Sequence, residues 1–377
     1  MRIALVHDQL QEFGGAERVL IALHEIFPNA PVYTAFLNQT TAKKNIRDFS
    51  RWKIITSWAA KIPFIGKLYS PLRFLAPAIW ESFDFSEFDV VVSSSGWYMC
   101  KGIKIRSTGS GSSAHPLHIS YIHHPPRYLY GYETAVEWQK YWPVKIYATI
   151  VNFFLRRWDY LSSQRPDVLI ANSEETKKRI KKLYNRDSTV IYPPVSIPSK
   201  ASIKYQVSSI GYYVTVSRLG KAKHIDLLIQ SANINKFNLK IVGKGRELKF
   251  LKSIAGDTVE FVTDADDQKR DELIAHAKAF LFASVDEEFG IAPVEAMGFG
   301  TPVIAYDSGG LKETVTQEAN GFLFKELNPQ SLYEEIKKLE SLSEEKYLEM
   351  RRSARKESEK YSFDRFNKEI LSLIPRG

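Results

Sequence analysis

Two glutamates, Glu287 and Glu295, bracket a glycine and a proline in the stretch EEFGIAPVEAMGFGTPVIAYDSGG, residues 287–310. Pro293 is tolerated in a first helical turn, where the N–H it lacks would have no intrahelical partner. A helix is therefore expected to open near Gly290. The amides of Phe289, Gly290 and Ile291, with the positive end of the helix dipole behind them, would then form an anion site. Glu295, about one and a half turns along, can accept hydrogen bonds from two vicinal hydroxyls of the kind a ribose presents. Glu287, ahead of the helix, can take hydroxyls from another part of the same ligand. Each glutamate alone reads equally well as a dipole-stabilising charge. What favours a ligand is the company of Gly298, Gly300 and the pair Gly309-Gly310, which permit close packing and a further turn after a strand.

Candidate cations stand in VSRLGKAKHID, where Arg218 and Lys223 follow the strand-like YYVTVS. A bidentate guanidinium and a point-charge ammonium suit a pyrophosphate; a solvated basic loop is the alternative. KIVGKGREL adds a strand end bracketed by Gly243 and Gly245, consistent with backbone lining a nucleotide. In the first half, Gly14-Gly15 joins RIALV and the loop HDQLQEF to helical AERVLIALHEIF. Glycines there allow close approach to phosphate or sugar, but the spacing is not GxGxxG, which argues against a dinucleotide dehydrogenase. His123 and His124 close the strand HISYI ahead of Pro125-Pro126 and are expected to face a cleft. No further metal ligands at suitable spacing accompany them.

These groups need elements to hold them. Strand-sized apolar runs alternate with helical patterns twice along the 377 residues, which predicts two α/β domains with parallel sheets. The first-half strands are RIALV, PVYTAF, DVVVSSS, HISYI, DVLIANS and STVIYP. The second-half strands are YYVTVS, NLKIVG, TVEFV, AFLFAS, TPVIAY and GFLF. Helices are expected over 16–27 and 174–184, and three more fill the last 50 residues. YPPVSIPSK (192–200) reads as the interdomain linker and RSTGSGSSAHP (106–116) as a mobile surface loop. Ligands of doubly wound domains bind beyond the carboxyl ends of the strands, so residues just after strands matter most.

Charge and cysteine content narrow the class. Residues 1–200 hold 26 Lys and Arg against 16 Asp and Glu, while residues 201–377 hold 26 against 27. A basic half beside a neutral one suits an anionic partner such as phosphate or a lipid headgroup, or serves solubility alone. The single cysteine, Cys100, excludes an intramolecular disulfide and fits a reducing compartment. No apolar run is long enough for a membrane span. The expected place is the cytoplasm, free or peripheral at the inner face of the cell membrane. Residues 51–80 carry five cations and no acid among many apolar side chains, and read either as a membrane-surface segment or as core helices with a basic edge.

Taken together, HDQL…GGAERVL, YIHHPPRYLY, RRWDYLSSQRPDVLIANSEETKKRI, VIYPPV, VSRLGKAKHIDLLI, KIVGKG and the Glu-x7-Glu block resemble the retaining glycosyltransferases of family 4, the group 1 glycosyl transferases. The resemblance runs from about residue 1 to 325 and looks closest to the mannosyltransferase-like branch that builds O-antigen or exopolysaccharide chains. It implies a GT-B fold of two Rossmann-like domains facing a central cleft, with the C-terminal helix crossing back to the first. The implied domains are 1–195 with helix 362–377 for the acceptor and 200–358 for the nucleotide-sugar donor.

The resemblance also implies roles. Glu295 would bind the ribose, Glu287 hydroxyls of the donor sugar, and Arg218 with Lys223 the pyrophosphate. The amides at Phe289, Gly290 and Ile291 and the backbone at Gly243 would line the donor site. Gly15 would approach the diphosphate and His123 the transferred sugar, so Glu287, His123, Arg218 and Lys223 form the catalytic set. Departures are HDQL for the more usual HDWL, which bears on the acceptor pocket, and His124 where Ser or Thr is common. The implied reaction is metal-independent, needs no cofactor, and moves a hexosyl (mannosyl by branch) group from a GDP- or UDP-linked donor to a saccharide or lipid-linked acceptor. With no carboxylate pair placed for double displacement, same-face attack is expected. A nucleotide-sugar epimerase of similar fold is the alternative, told apart by needing no acceptor. A nucleic-acid binder would leave Glu287 and Glu295 without purpose.

Overall fold

The computed structural model describes residues 1–105, 115–134, 141–198 and 211–375. The expected mobile loop at 106–116 lies outside these residues but for its last two, as do the last two of the expected linker. By internal contacts the chain divides into two units. One is Met1–Tyr132, Trp138–Pro194 and Asp364–Gly377; the other is Val195–Phe363 with Glu133–Glu137.

Among the described residues the first unit's strands are β1 (Ile3–His7), β2 (Val32–Thr34), β3 (Ile54–Thr56), β4 (Val90–Ser95), β5 (Leu117–Ile122), β6 (Val168–Ala171) and β7 (Thr189–Val190), in the order β3-β2-β1-β4-β5-β6-β7. The second unit's are β8 (Tyr212–Val216), β9 (Asn238–Val242), β10 (Val259–Val262), β11 (Phe280–Phe282), β12 (Val303–Tyr306) and β13 (Gly321–Phe324), ordered β10-β9-β8-β11-β12-β13. All pairings are parallel. The apolar residues of the inner strands β4, β9 and β11 are buried, as parallel sheets require, and those of the edge strands β3, β7 and β10 only partly. In each sheet the winding direction reverses once, between β1 and β4 and between β8 and β11. In doubly wound sheets the carboxyl ends of the two strands at such a reversal are where ligands bind.

Residues 51–80 are neither purely helical nor a simple surface stretch. Ile54–Thr56 forms the edge strand β3, paired with β2, and short helical turns follow at Trp58–Lys61, Ile65–Leu68, Arg73–Leu75 and Ala76–Trp80. Ala59, Ile65, Ala76, Ile79 and Trp80 are buried, whereas Trp58, Phe64, Leu68 and Phe74 are exposed. A three-residue strand gives too short a period-two pattern to stand out. The helix Phe363–Ser372 packs on the first unit, where Phe366 lies 6.0 Å from the Tyr121 ring and Arg365 Nη2 donates to the Tyr192 carbonyl at 2.5 Å.

The first sheet also hides a titratable group. His118 on β5 is buried, its Nε2 is 2.9 Å from Ser93 Oγ, and burial assisted by Arg165 and Arg186 pushes its imidazole down to about 3. It is neutral in the fold, so its contribution is complete above the unfolded value of about 6.5 and is lost progressively as pH falls towards 3. Stability should drop by ~2 kcal/mol between pH 7 and pH 5 through this residue. Urea melts of wild type and His118→Gln should show a shallower acid slope in the variant; equal slopes would refute the assignment.

Candidate functional site

The winding reversal of the second sheet gathers most of the residues singled out above. β8 ends in a loop carrying Arg218 and a short 3-10 turn, Lys221–Lys223; β11 leads through Ser284 to Glu287. Lys223 Nζ donates to Glu287 Oε2 at 2.5 Å and to Ser284 Oγ at 3.3 Å. It also sits 5.3 Å from the centre of the Phe282 ring. Ser284 Oγ lies 2.8 Å from the same Glu287 oxygen and 3.2 Å from the Ala222 carbonyl. An ammonium has three donors. Two are directed at Glu287 and Ser284, and among the described residues none takes the third. Both Lys223 and Glu287 are mostly covered, so their mutual attraction is screened less than on an open surface.

Glu287 is held in place by its backbone. Asp286 adopts a left-handed φ of 55° and its N–H donates to Ser308 Oγ at 3.1 Å. The Gly310 N–H donates to the Glu287 carbonyl at 2.8 Å. A Cβ on Gly309 would lie 2.0 Å from the Glu287 carbonyl oxygen, and one on Gly310 2.0 Å from that of Glu288. The glycine pair is therefore the surface on which the Glu287–Phe289 backbone rests.

The helix expected after this loop spans Ile291–Gly298, with Gly290 as its left-handed N-cap (φ 86°) and Pro293 in its first turn. The first N–H groups of any helix lack intrahelical partners, so this terminus offers amides and a positive dipole end. Phe289 is buried, edge-on to Tyr361 at 5.1 Å, and anchors the loop. Glu295 is buried on the helix; its charge helps hold Arg270 protonated, behind the Asp271 hydrogen bond and against the cost of burial.

Gly243 is required where the loop after β9 packs on the loop after β8. Its N–H donates to the Val262 carbonyl at 3.2 Å, and a Cβ there would lie 2.1 Å from the Ser217 carbonyl oxygen. Its amide is engaged in the sheet, and the absent side chain lets the β9 loop pack on the loop that presents Arg218.

The first unit has its own group at its winding reversal. His7 at the end of β1 pairs in register with Ser94 on β4. Its Nδ1 is 3.1 Å from Ser94 Oγ, which is 2.8 Å from His123 Nε2. On the other side His7 Nε2 is 3.6 Å from Glu17 Oε1, within ion-pair range but beyond a hydrogen bond. Glu17 Oε2 accepts the Gly14 N–H at 2.7 Å, just before the helix Gly15–Ile26 opens at Gly15. His123 and Gly14 thus stand at the two ends of this polar group, which is buried at His7, Ser94 and His123 and half-buried at Glu17; Gly15, next to Gly14, is exposed. Asp8 accepts the amides of Gly96, Tyr98 and Cys100 at 2.8, 2.9 and 2.8 Å and fixes the loop after β4. His124 lies beside this group, with Nδ1 3.0 Å from the Pro125 carbonyl.

Sequence reasoning did not single out Ser284, His7, Ser94, Glu17 or Asp8. A serine at a strand end carries no spacing signal. The HD of HDQL and the SSS closing VVVSSS were visible, but only the pairing of β1 with β4 brings them together. Among the described residues no cluster of His, Cys, Asp and Glu could hold a metal ion.

Residues 13–197 match the family model described as Glycosyltransferase Family 4, and residues 209–357 match Glycosyl transferases group 1. An uncharacterized glycosyltransferase of Haemophilus influenzae is 28% identical over 220 residues, which span 55% of this chain and 60% of the relative. The human alpha-1,3/1,6-mannosyltransferase ALG2 is 28% identical over 193 residues, spanning 42% of this chain and 46% of its own. The matches thus span less than two thirds of these relatives. The crystal structure of Anabaena Alr3699/HepE in complex with UDP-glucose superposes with a TM-score of 0.71 at 19% identity, covering 99% of both chains.

Proposed function

The chain belongs to the group 1 glycosyl transferases, with a two-domain GT-B fold, and from that premise we propose that it transfers a hexosyl group from a nucleoside-diphosphate sugar to a saccharide or lipid-linked acceptor. The observation that carries this reading is the Lys223–Ser284–Glu287 cluster beside the amides of a helix N-terminus. An ammonium with one donor to spare, a carboxylate able to take sugar hydroxyls and a dipole end suit the two halves of such a donor. The mannosyl reading is supported by the similarity to a mannosyltransferase, and a UDP-linked donor by the likeness to a structure holding UDP-glucose; the wider role is cell-surface polysaccharide synthesis.

The reaction on this reading retains configuration. The bond from the sugar's anomeric carbon to the phosphate oxygen breaks through an oxocarbenium-like state. The acceptor oxygen bonds to that carbon on the same face, and its proton passes to the departing diphosphate. Arg218, Lys223 and the helix amides stabilise the negative charge that develops on the leaving group. On this reading protein cations do this work in place of a divalent metal.

Thermal melts with a panel of nucleoside diphosphates and nucleotide sugars test the reading. A cognate UDP- or GDP-linked compound at about a hundredfold excess over its Kd should raise Tm by on the order of 5 °C. No response to any sugar-linked UDP, GDP, ADP or dTDP compound would refute it.

A further inference from the structure

The helix Trp142–Ser163 is amphipathic in the reverse sense. Its inward stripe, Ala148, Asn152, Leu155, Asp159 and Ser162, is buried and largely polar. Its outward stripe runs at steps of four and three residues through Trp142 (74% exposed), Ile146, Ile150 and Phe153 (63%), with Phe154 (66%) beside it. At about 100° per residue these positions share one face, where a water-facing helix ordinarily carries charge.

The helix is locked in this rotation. Asn152 Nδ2 donates to the Tyr128 carbonyl at 3.1 Å, and its Oδ1 accepts from Arg73 Nη2 at 3.1 Å. Asp159, the only acid on the helix, is buried against Lys101 and accepts the Tyr130 hydroxyl at 2.7 Å. Rolling the aromatic stripe inward would break all of these bonds. The helix also meets the segment before it: the Tyr147 hydroxyl donates to the Pro71 carbonyl, and close to Pro71 in sequence Phe64 (78% exposed), Leu68 and Phe74 are open.

On the helix itself the exposed charges beside the stripe are of one sign. Lys145, Arg156 and Arg157 on the helix are exposed, and neither Lys145 nor Arg157 forms an ion pair among the described residues. Aromatic and aliphatic groups flanked by cations, with no exposed acid on the helix, complement an anionic lipid surface, where rings sit at the headgroup level and cations meet phosphates. Among the described residues no helix is long and apolar enough to cross a membrane, so the contact would be peripheral.

We propose that the outward face of the helix Trp142–Ser163, with the adjoining exposed side of residues 64–74, docks on an anionic membrane surface. The sequence points to the basic first half and within it to residues 51–80 for such contact; the larger share comes from the helix. The inference is independent of the donor reading.

Cosedimentation with vesicles of phosphatidylcholine, alone or mixed with phosphatidylglycerol, tests it. Binding to the mixed vesicles should be at least about tenfold tighter and should weaken with salt. Phe153→Ser/Phe154→Ser and, separately, Lys145→Glu/Arg157→Glu should each lower it about tenfold or more, with circular dichroism and Tm unchanged because all four side chains are exposed. Indifference to phosphatidylglycerol, or variants that bind like wild type, would overturn the proposal. So would a wild-type dimer that Phe153→Ser/Phe154→Ser dissociates, since the face would then belong to a second copy of the chain.

Discussion

Lys223→Ala is expected to lower kcat/KM for glycosyl transfer about a hundredfold while far-UV circular dichroism stays unchanged. Removing one preorganised donor from developing charge typically costs 10²–10³ in rate. Lys223 suits that role because, among the described residues, only two of its donors are directed at protein, to Glu287 Oε2 at 2.5 Å and Ser284 Oγ at 3.3 Å. The substitution also removes one counterion of Glu287, which would sharpen repulsion between that carboxylate and a diphosphate. Separating the two effects needs the Glu287→Gln variant and the double variant. If Lys223 acts on the leaving group, adding Lys223→Ala to Glu287→Gln should still slow transfer by at least tenfold. If Lys223 only neutralises Glu287, the second substitution should change nothing, and the assignment falls.

Strand ends were where the sequence spoke most clearly. Periodicity located the six strands of the second unit because β-branched and aromatic runs such as YYVTV and NLKIV are bounded by glycine and polar loops. The residues proposed to hold the donor follow the same pattern, since Arg218, Lys223 and Glu287 stand just after β8 and β11. What stayed hidden was whatever depends on pairing between distant segments. Ser284 joins Lys223 and Glu287 only once β11 lies beside β8, and Ser94 bridges His7 and His123 only through the register of β1 with β4. Edge strand β3 was lost for want of length. The outward stripe of Trp142–Ser163 has helical spacing like any core stripe, and nothing in spacing alone says which side faces water. The buried Asn152 and Asp159 settle it, and they look like surface residues until their partners Arg73 and Lys101 are in place.

The same distinction separates two explanations of the Gly309-Gly310 pair, and Gly310→Ala should tell them apart. A Cβ on Gly310 would lie 2.0 Å from the Glu288 carbonyl oxygen and 2.9 Å from Phe289 Cα. All of this is backbone, so no side chain can swing away; the Glu287–Phe289 loop has to retreat. We expect a stability loss of ~1–3 kcal/mol, the usual range for overpacking. A loop displaced by about 1 Å also misplaces the Glu287 carboxylate, and misplacement of that size can cost about a hundredfold in rate. Gly131→Ala is the control: its φ is 79°, nothing lies within 4 Å of the added Cβ, and it sits in the first unit. It should lose ~1–2 kcal/mol to backbone strain alone and leave donor affinity untouched. Should Gly310→Ala melt like wild type and bind nucleotide sugar equally well, the glycine would not be the seat of the Glu287 loop. The close contact at the Glu288 carbonyl would then carry no functional weight.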